Sequence, residues 1–274
     1  MYCQFYGLRE KPFNVTADPS FFFFSKGHKE AFSHLIYGIN ERKGVIVITG
    51  EIGTGKTSIC RVLLNQISEN IKTSFIINPH FSELQLLKAI IEDFGIDTAS
   101  KTRLSFIFDL NRFLLKAAEQ GENAVLIIDE AQNLRPGELE QVRLLSNLET
   151  EKAKLLQIVL VGQPELSQRL ELYNLRQLRQ RVMVRYHILP LERLEIGEYI
   201  NHRLDVSGSD GRIKFSDSAF DEIYNFSKGT PRLINFICDR ALLAGFVMGK
   251  TDIDLDIINH CIDELKEITV TNKI

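Results

Sequence analysis

The stretch that decides the fold of this chain is Gly50-Glu51-Ile52-Gly53-Thr54-Gly55-Lys56-Thr57, followed by Ser58. It matches the pattern Gly-x-x-x-x-Gly-Lys-Ser/Thr at every required position, and the apolar run Val45-Ile46-Val47-Ile48 precedes it. Glycines let the backbone fold closely around a polyphosphate, so that successive N–H groups point inward. A helix that begins near Lys56 adds the positive end of its dipole. The stretch therefore predicts a phosphate-binding loop, in which Lys56 reaches the outer phosphates and the Thr57 hydroxyl binds Mg²⁺.

The overall composition is that of an ordinary globular protein. The chain has 274 residues, of which 44% are hydrophobic and 25% charged, and its net charge is −3. This charge gives no general attraction to nucleic acid or to anionic membranes. The four cysteines, Cys3, Cys60, Cys238 and Cys261, form no Cys-x-x-Cys pair, which favours free thiols in a reducing compartment. No apolar run approaches the roughly 20 residues that cross a bilayer, so a cytoplasmic location is expected.

Strand and helix patterns alternate from Val45 onward, which indicates a parallel α/β sheet. Ser82 and Gln85 have the spacing of a capping box at one helix start. Past Pro190 the strand pattern stops and helical periodicity continues. We predict a three-layer α/β fold with a five-stranded parallel sheet, followed by a small all-helical domain. The predicted strands are 45–48, 73–77, 124–128, 157–161 and 184–189; the predicted domains are 1–44, 45–189 and 190–274.

Residues 1–44 form a segment that is unusually rich in aromatic side chains and is broken by Pro12 and Pro19. This composition predicts an irregular arm, followed by a helix from about residue 27 to residue 40, packed on the α/β core. Two roles stay open from the sequence. The arm can cover a hydrophobic edge, or it can provide an apolar wall for a nucleobase, because it leads directly into the phosphate loop.

Two adjacent carboxylates, Asp129 and Glu130, directly follow the third apolar strand. At the carboxyl end of a parallel strand they would project into the crevice where α/β folds bind ligands. Asp129 is then expected to hold the magnesium shell, and Glu130 to orient and deprotonate a water aimed at the γ-phosphate of ATP. Gln163 ends the next strand and is predicted to contact that water or the γ-phosphate. The alternative for Gln163 is a cap of the turn before Pro164.

Four arginines, Arg176, Arg179, Arg181 and Arg185, are concentrated just before and within the fifth strand pattern. A solvated face and a nucleic-acid contact are two interpretations of such a cluster. The third is that an arginine reaches the γ-phosphate held by a neighbouring subunit and stabilises transition-state charge in trans. Arg181, which is nearest the strand, is the first choice for that role and Arg179 the second.

Gly229-Thr230-Pro231-Arg232 is predicted to open a helix in the C-terminal domain, because proline suits the first helical turn. This is expected to place Arg232 near the helix start and to orient it toward the cleft between the predicted domains, where it would contact the nucleotide and couple nucleotide state to the angle between the domains. The alternative is an ordinary surface arginine after a turn.

Taken together, these motifs resemble those of the AAA+ ATPases, and more closely those of the general secretion pathway protein A (ExeA-like) group. The resemblance keeps its order over almost the whole chain. It rests on residues 5–13, 18–19, His28 with Glu30 and Ala31, 50–57, 127–132, 160–166 and 229–232.

The resemblance implies a three-layer α/β ATPase domain, a helical lid, ATP hydrolysis with Mg²⁺, and ring or helical oligomers. By position it implies Walker A at Lys56 and Thr57, Walker B at Asp129 and Glu130, sensor 1 at Gln163 and sensor 2 at Arg232. The arginine finger is matched more loosely, because Arg176, Arg179 and Arg181 compete. Secretion members of the group typically continue into a membrane span and a periplasmic peptidoglycan-binding region, and neither is expected within these 274 residues.

Three functions follow as hypotheses. The first is an oligomeric ATP-driven motor or switch that serves secretion, pilus or exopolysaccharide machinery, placed in the cytoplasm or held at the inner membrane through partner proteins. The second is an ATP-dependent DNA-binding regulator similar to transposition ATPases; it is less favoured because the chain has no overall basic excess. The third is a nucleotide-gated scaffold whose turnover is incidental.

Overall fold

The computed structural model describes residues 2–98, 101–151 and 153–271. Its main strands are β1 Val45–Gly50, β2 Ile71–Ile76, β3 Asn123–Ile128, β4 Gln157–Gly162 and β5 Val182–Ile188. They form one parallel sheet in the order β2-β3-β4-β1-β5, with helices on both sides. Every residue of β1, β3 and β4 is buried, as continuous apolar runs predict for strands that are covered on both faces. The predicted α/β fold with a five-stranded parallel sheet is confirmed.

The helices alternate with these strands and then continue alone. They are α1 Tyr2–Tyr6, α2 Lys26–Asn40, α3 Lys56–Gln66, α4 Glu83–Asp93, α5 Arg103–Glu119, α6 Pro136–Leu145, α7 Pro164–Leu170, α8 Arg176–Arg179, α9 Glu195–Val206, α10 Asp217–Ser227, α11 Pro231–Met248 and α12 Leu255–Thr271. The capping box predicted at α4 is confirmed, since the Gln85 N–H donates to Ser82 Oγ and the Ser82 N–H donates to Gln85 Oε1. Proline occupies the first turn of α6, α7 and α11, where its missing N–H costs no hydrogen bond.

The C-terminal part of the chain differs from the prediction in one respect. Two short strands, β6 Lys214–Phe215 and β7 Asp252–Ile253, pair in parallel and form a small second sheet. The expectation of an all-helical region is therefore corrected by this pair. A strand of two residues is too short to show a periodicity of two, so only the tertiary pairing reveals it.

Packing divides the chain into two compact units. We term one the helical unit, which comprises Met1–His28, Gly53–Ser58 and Leu189–Ile274, and the other the sheet unit, which comprises Lys29–Ile52 and Ile59–Ile188. These bounds are not those of the predicted domains, since the predicted arm 1–44 is shared between the units. The predicted domain boundaries stay a prediction.

The first residues of the arm belong to the core of the helical unit. Tyr6 is fully buried, and its hydroxyl donates to the Leu242 carbonyl of α11 at 3.0 Å. The buried Arg203 of α9 donates to the carbonyls of Pro12 at 2.6 Å and Asn14 at 3.1 Å, and its guanidinium lies 4.9 Å from the centre of the Phe21 ring. Hydrogen bonds from a charged donor hold this irregular segment where regular secondary structure does not. The arm is thus an integral part of the helical unit.

The sheet unit has its own apolar core, formed by side chains of the strands and of α4, α5 and α6. Leu126 of β3, Leu160 of β4 and Ile90 of α4 are fully buried in it. Each such side chain contributes about 2 kcal/mol through removal of apolar surface from water. This core holds the carboxyl ends of the central strands in fixed positions, and the candidate site begins at those ends.

Candidate nucleotide site

The second half of the phosphate loop lies in the helical unit. Gly53 and Gly55 have φ values of +82° and +92°, a backbone conformation that glycine adopts without steric cost. Thr54 is fully buried and Lys56 is 6% exposed. Helix α3 begins at Lys56, as the sequence predicts, so that the loop ends on a helix N-terminus. The local backbone is therefore the one that a phosphate-binding loop requires.

Arg232, a candidate from the sequence, lies against this loop. The Arg232 N–H donates to the Gly53 carbonyl at 3.3 Å. A Cβ atom at Gly53 would lie 2.7 Å from Arg232 Cβ and 3.2 Å from Thr230 Cγ2, so glycine is needed at this close approach. Pro231 starts α11 directly before Arg232. The interpretation of Arg232 as an ordinary surface residue after a turn is less favoured by this contact.

His28 also contacts the loop, and sequence reasoning assigned it no role. Its Nε2 lies 2.8 Å from the Thr54 carbonyl, and its Nδ1 lies 2.7 Å from Ser25 Oγ. His28 and Ser25 are both buried. Desolvation by burial lowers the pKa of His28, an effect opposed by the hydrogen bond to Thr54 and by the charge of Glu195. In the sequence, His28 is visible only as a histidine close to the aromatic run Phe21–Phe24. That pattern does not distinguish a histidine of the core from one with a functional role.

The carboxylates predicted after β3 belong to the sheet unit. Because β4 lies between β3 and β1, the carboxyl ends of these three strands meet at one edge of the sheet. Asp129 is 1% exposed and accepts the Glu130 N–H at 2.9 Å. Glu130 has a φ of +53°, in the left-handed region that costs a residue other than glycine about 1 kcal/mol or more. Such strain is typical of functional positions, where the surrounding structure maintains it.

Two amide side chains hold the carboxylate of Glu130. Gln132 Nε2 donates to Glu130 Oε2 at 2.5 Å, and Gln163 Nε2 donates to the same oxygen at 3.4 Å. Gln132 Oε1 accepts the Gln163 N–H at 3.0 Å, and Arg169 donates to the Gln132 carbonyl at 2.5 Å. Gln163 was predicted and does lie beside Glu130. Gln132 was quoted only as part of a motif, although an amide two residues after a carboxylate on one tight turn is a usable signal.

Two of the four clustered arginines, Arg179 and Arg185, are already paired with a carboxylate of the same chain. Glu171 binds Arg179 at 2.6 Å and Arg185 at 2.9 Å, and the hydrogen bonds from Arg185 and then Arg179 lower the pKa of Glu171. Arg176 lies over the ring of Tyr173, with 4.8 Å between guanidinium carbon and ring centre. Arg181 donates to the Oγ and the carbonyl of Ser146 over long distances, 3.4 Å and 3.5 Å.

A surface cavity of about 500 Å³ is lined by Arg176, Gln177, Gln180 and Arg181. Two guanidinium groups and two amides provide donors that suit an anionic ligand. Of the three arginines that compete for a role in trans, Arg176 and Arg181 line this cavity, whereas Arg179 is bound to Glu171.

Comparisons with known proteins identify the domain and the fold. The family model of the AAA domain matches residues 39–170. The chain contains an AAA domain. General secretion pathway protein A of Aeromonas hydrophila is 46% identical over 251 residues, which are 91% of this chain and 46% of that protein. The predicted resemblance to that group is therefore confirmed, while the chain spans about half the length of this relative.

Solved structures share the fold of the AAA-domain chain at low identity. The Aeropyrum pernix ORC2 protein, in ADPNP–ADP complexes, has a TM-score of 0.64 at 16% identity and covers 87% of this chain and 67% of its own. Cdc6p from Pyrobaculum aerophilum has a TM-score of 0.65 at 18% identity, with 85% and 67% covered. The RuvB Holliday junction branch migration motor of Thermotoga maritima has a TM-score of 0.58 at 18% identity, with 88% and 69% covered. These likenesses establish the fold.

The AAA domain implies that the chain binds a nucleotide. Taken separately, the Thr57 hydroxyl of the helical unit and the buried Asp129 carboxylate of the sheet unit are both hard oxygen ligands of the kind that Mg²⁺ prefers. Mg²⁺ is usually held by one or two such ligands together with substrate phosphates rather than by an all-protein cage. No group of three or more His, Cys, Asp or Glu side chains that could hold a metal occurs among the described residues. No helix in the described ranges is long and apolar enough to span a membrane.

Proposed function

We propose that this chain binds ATP with Mg²⁺ and hydrolyses it to ADP and phosphate. The observation that carries the proposal is the strained Glu130, whose carboxylate is held by Gln132 and Gln163 at the edge of the sheet where the phosphate loop starts. A carboxylate fixed in this way suits the orientation and deprotonation of a water molecule. The AAA domain and the intact loop sequence support the same reaction.

Each site residue has a distinct role in this proposal. The backbone of Gly50–Ser58 and the side chain of Lys56 bind the phosphates, and Thr57 and Asp129 hold Mg²⁺, which neutralises charge on the transferred phosphoryl group. Glu130 is the general base, and Gln163 orients the water or the γ-phosphate. Arg232 contacts the nucleotide from the start of α11.

Two substitutions test the reaction. Lys56→Ala should abolish nucleotide binding, whereas Glu130→Gln should bind ATP normally and lose turnover by about 100-fold or more, as removal of a general base does. Glu165→Gln is the matched control, because it makes the same chemical change at an exposed carboxylate of the first turn of α7. Phosphate release and calorimetric titration with ATP measure the two quantities. Wild-type turnover in Glu130→Gln would remove the assignment of the base.

We further propose that the active form is a ring or helical oligomer, in which Arg181 acts on the nucleotide of a neighbouring subunit. Its long contacts to Ser146 and its place in the cavity support Arg181 over Arg179, which is bound to Glu171. Arg181→Ala subunits mixed with Glu130→Gln subunits should regain turnover, because some interfaces then combine an intact base with an intact arginine. Mixtures that stay as inactive as the separate variants would contradict the assignment.

The machinery that uses this hydrolysis is proposed from the relative. Its printed name assigns it to general secretion, so we propose that this chain is a motor or switch for secretion, pilus or exopolysaccharide assembly. We place it in the cytoplasm, joined to the inner membrane through partner proteins. A chromosomal Glu130→Gln allele should abolish the assembly phenotype without loss of protein. Normal complementation by that allele would instead support a nucleotide-gated scaffold.

DNA binding is the alternative, and the cavity with Arg176 and Arg181 is the observation that favours it. Against it, Glu171 neutralises Arg179 and Arg185, and the chain is acidic overall. An ATP-dependent regulator should shift duplex DNA in a salt-dependent way only when ATP is present. The absence of any shift at low salt would dismiss this alternative.

A further inference from the structure

His28 and Ser25 form a closed hydrogen-bond relay beside the phosphate loop. A carbonyl oxygen only accepts, so His28 Nε2 carries the ring proton and donates to Thr54 at 2.8 Å. Nδ1 of the neutral ring is then an acceptor, and Ser25 Oγ donates to it at 2.7 Å. The His28 N–H donates in turn to Ser25 Oγ at 3.2 Å. Every polar atom of the imidazole therefore has a partner, and one tautomer is selected.

The imidazole ring of His28 also packs against Gly55 of the loop. A Cβ atom at Gly55 would lie 3.0 Å from His28 Nε2, so the imidazole packs directly on the loop backbone. The His28 ring also contacts the aromatic arm, because the Phe22 ring packs edge-on against it with 5.0 Å between ring centres. The buried histidine thus joins the arm to the loop by one hydrogen bond and by van der Waals contact.

We propose that His28 is a positioning residue, through which the N-terminal arm sets the conformation of the phosphate loop and thereby the affinity for nucleotide. The inference rests on the proposed nucleotide binding by Gly50–Ser58. This role of His28 is compatible with both roles expected for the arm, the covering of a hydrophobic edge and the provision of an apolar wall for a nucleobase. The donor on Nε2 holds the Thr54 carbonyl in place, and the ring limits the movement of Gly55. Both effects reduce the entropy that the loop loses when it closes on phosphates.

The decisive comparison is between two substitutions of His28. His28→Phe keeps a ring in contact with Phe22 and removes the donor, whereas His28→Gln retains an amide donor near the position of Nε2. We expect His28→Phe to weaken the binding of ADP and ATP by about 3- to 10-fold, the factor by which one neutral hydrogen bond changes an equilibrium constant. His28→Gln should stay within about 2-fold of wild type.

His202→Phe is the matched control in the same unit. His202 also contacts the arm, through the Phe23 ring with 5.8 Å between ring centres and through a hydrogen bond with the Phe22 backbone, so that His202→Phe changes the arm while it leaves the His28 side chain intact. Its substitution should leave nucleotide affinity within about 2-fold of wild type, a change smaller than the loss of one hydrogen bond. Ser25→Ala is a milder test that keeps the whole ring; loss of the relay should weaken binding by about 2- to 3-fold.

Calorimetric titration of the full chain with ADP measures affinity, and hydrogen exchange without nucleotide measures the loop directly. Residues 50–58 should exchange faster in His28→Phe than in wild type and His28→Gln. Equal affinities of wild type and His28→Phe would overturn the inference, as would a His28→Gln variant that is as weak as His28→Phe. If His28→Phe does not fold, Ser25→Ala decides, and wild-type affinity in it overturns the relay. A wild-type chain that binds no nucleotide would instead contradict the proposed function.

Discussion

Gly229 offers a sharp test of the geometry that places Arg232. Its φ is +76°, and a Cβ atom there would lie 2.0 Å from the carbonyl oxygen of Leu191, whose own N–H donates to the Gly229 carbonyl at 2.9 Å. Gly249 is the matched control. It follows the last residue of α11, has a φ of +69°, and no atom lies within 4 Å of a Cβ added there. The substitution Gly249→Ala therefore costs only the left-handed conformation of alanine, about 1 kcal/mol.

Gly229→Ala costs considerably more. Alanine there has the same conformational cost, and the backbone must also move to relieve the contact with Leu191. Overpacking of this kind costs about 1–3 kcal/mol, and loss of the Leu191 hydrogen bond costs about 1 kcal/mol more. We expect the free energy of unfolding to fall by about 3–5 kcal/mol, and the Tm by about 6–20 °C at roughly 2–4 °C per kcal/mol. Gly249→Ala should lower the Tm by about 2–4 °C.

Urea denaturation followed by intrinsic tyrosine fluorescence measures the free energy of unfolding of both variants, and thermal melts followed by circular dichroism measure their Tm. Because Gly229 lies three residues before Arg232, Gly229→Ala should also weaken nucleotide binding in the fraction that stays folded, whereas Gly249→Ala should not. Equal stabilities of the two alanine variants would refute the steric reasoning. Equal nucleotide affinities would show that the position of Arg232 does not depend on the turn.

Three further predictions concern single side chains. Gln132→Ala should lower kcat by about 10-fold in a phosphate-release assay and leave ATP affinity unchanged, because the hold on Glu130 is lost but the loop is not; an unchanged kcat would contradict this. Burial lowers the pKa of His28 from its ordinary 6.5, although Glu195 opposes the shift, so the unfolded chain binds more protons and stability falls as the pH drops below about 6.5. Urea unfolding at pH 7.5 and 5.5 should show a smaller fall in His28→Gln than in wild type. Burial raises the pKa of Cys261 to about 11, so alkylation at pH 8, followed by mass spectrometry, should be roughly 100-fold slower in the native chain than in urea.

The sequence by itself determined the fold and the principal residues of the candidate site. The run Val45–Ile48 before Gly50 predicted a strand that enters a phosphate loop, and β1 and α3 confirm it. Asp129 and Glu130 were predictable because polar residues directly after a buried strand must emerge at its carboxyl end. These inferences succeed since they depend on contacts within a few residues, which local periodicity and backbone chemistry decide.

Only the tertiary structure decided which distant groups meet. His28 and Thr54 are 26 residues apart in sequence, Gln132 and Gln163 are 31 apart, and Gly53 and Arg232 are 179 apart (232 − 53). The pairing of β6 with β7 and the binding of Arg179 by Glu171 were equally invisible. Such contacts depend on the packing of whole elements, and a polar residue has the same local pattern whether its partner is water or a buried carbonyl. The loop Gly50–Thr57 and the candidate Arg232 were therefore predictable from the sequence, whereas the contact of His28 with the loop was not.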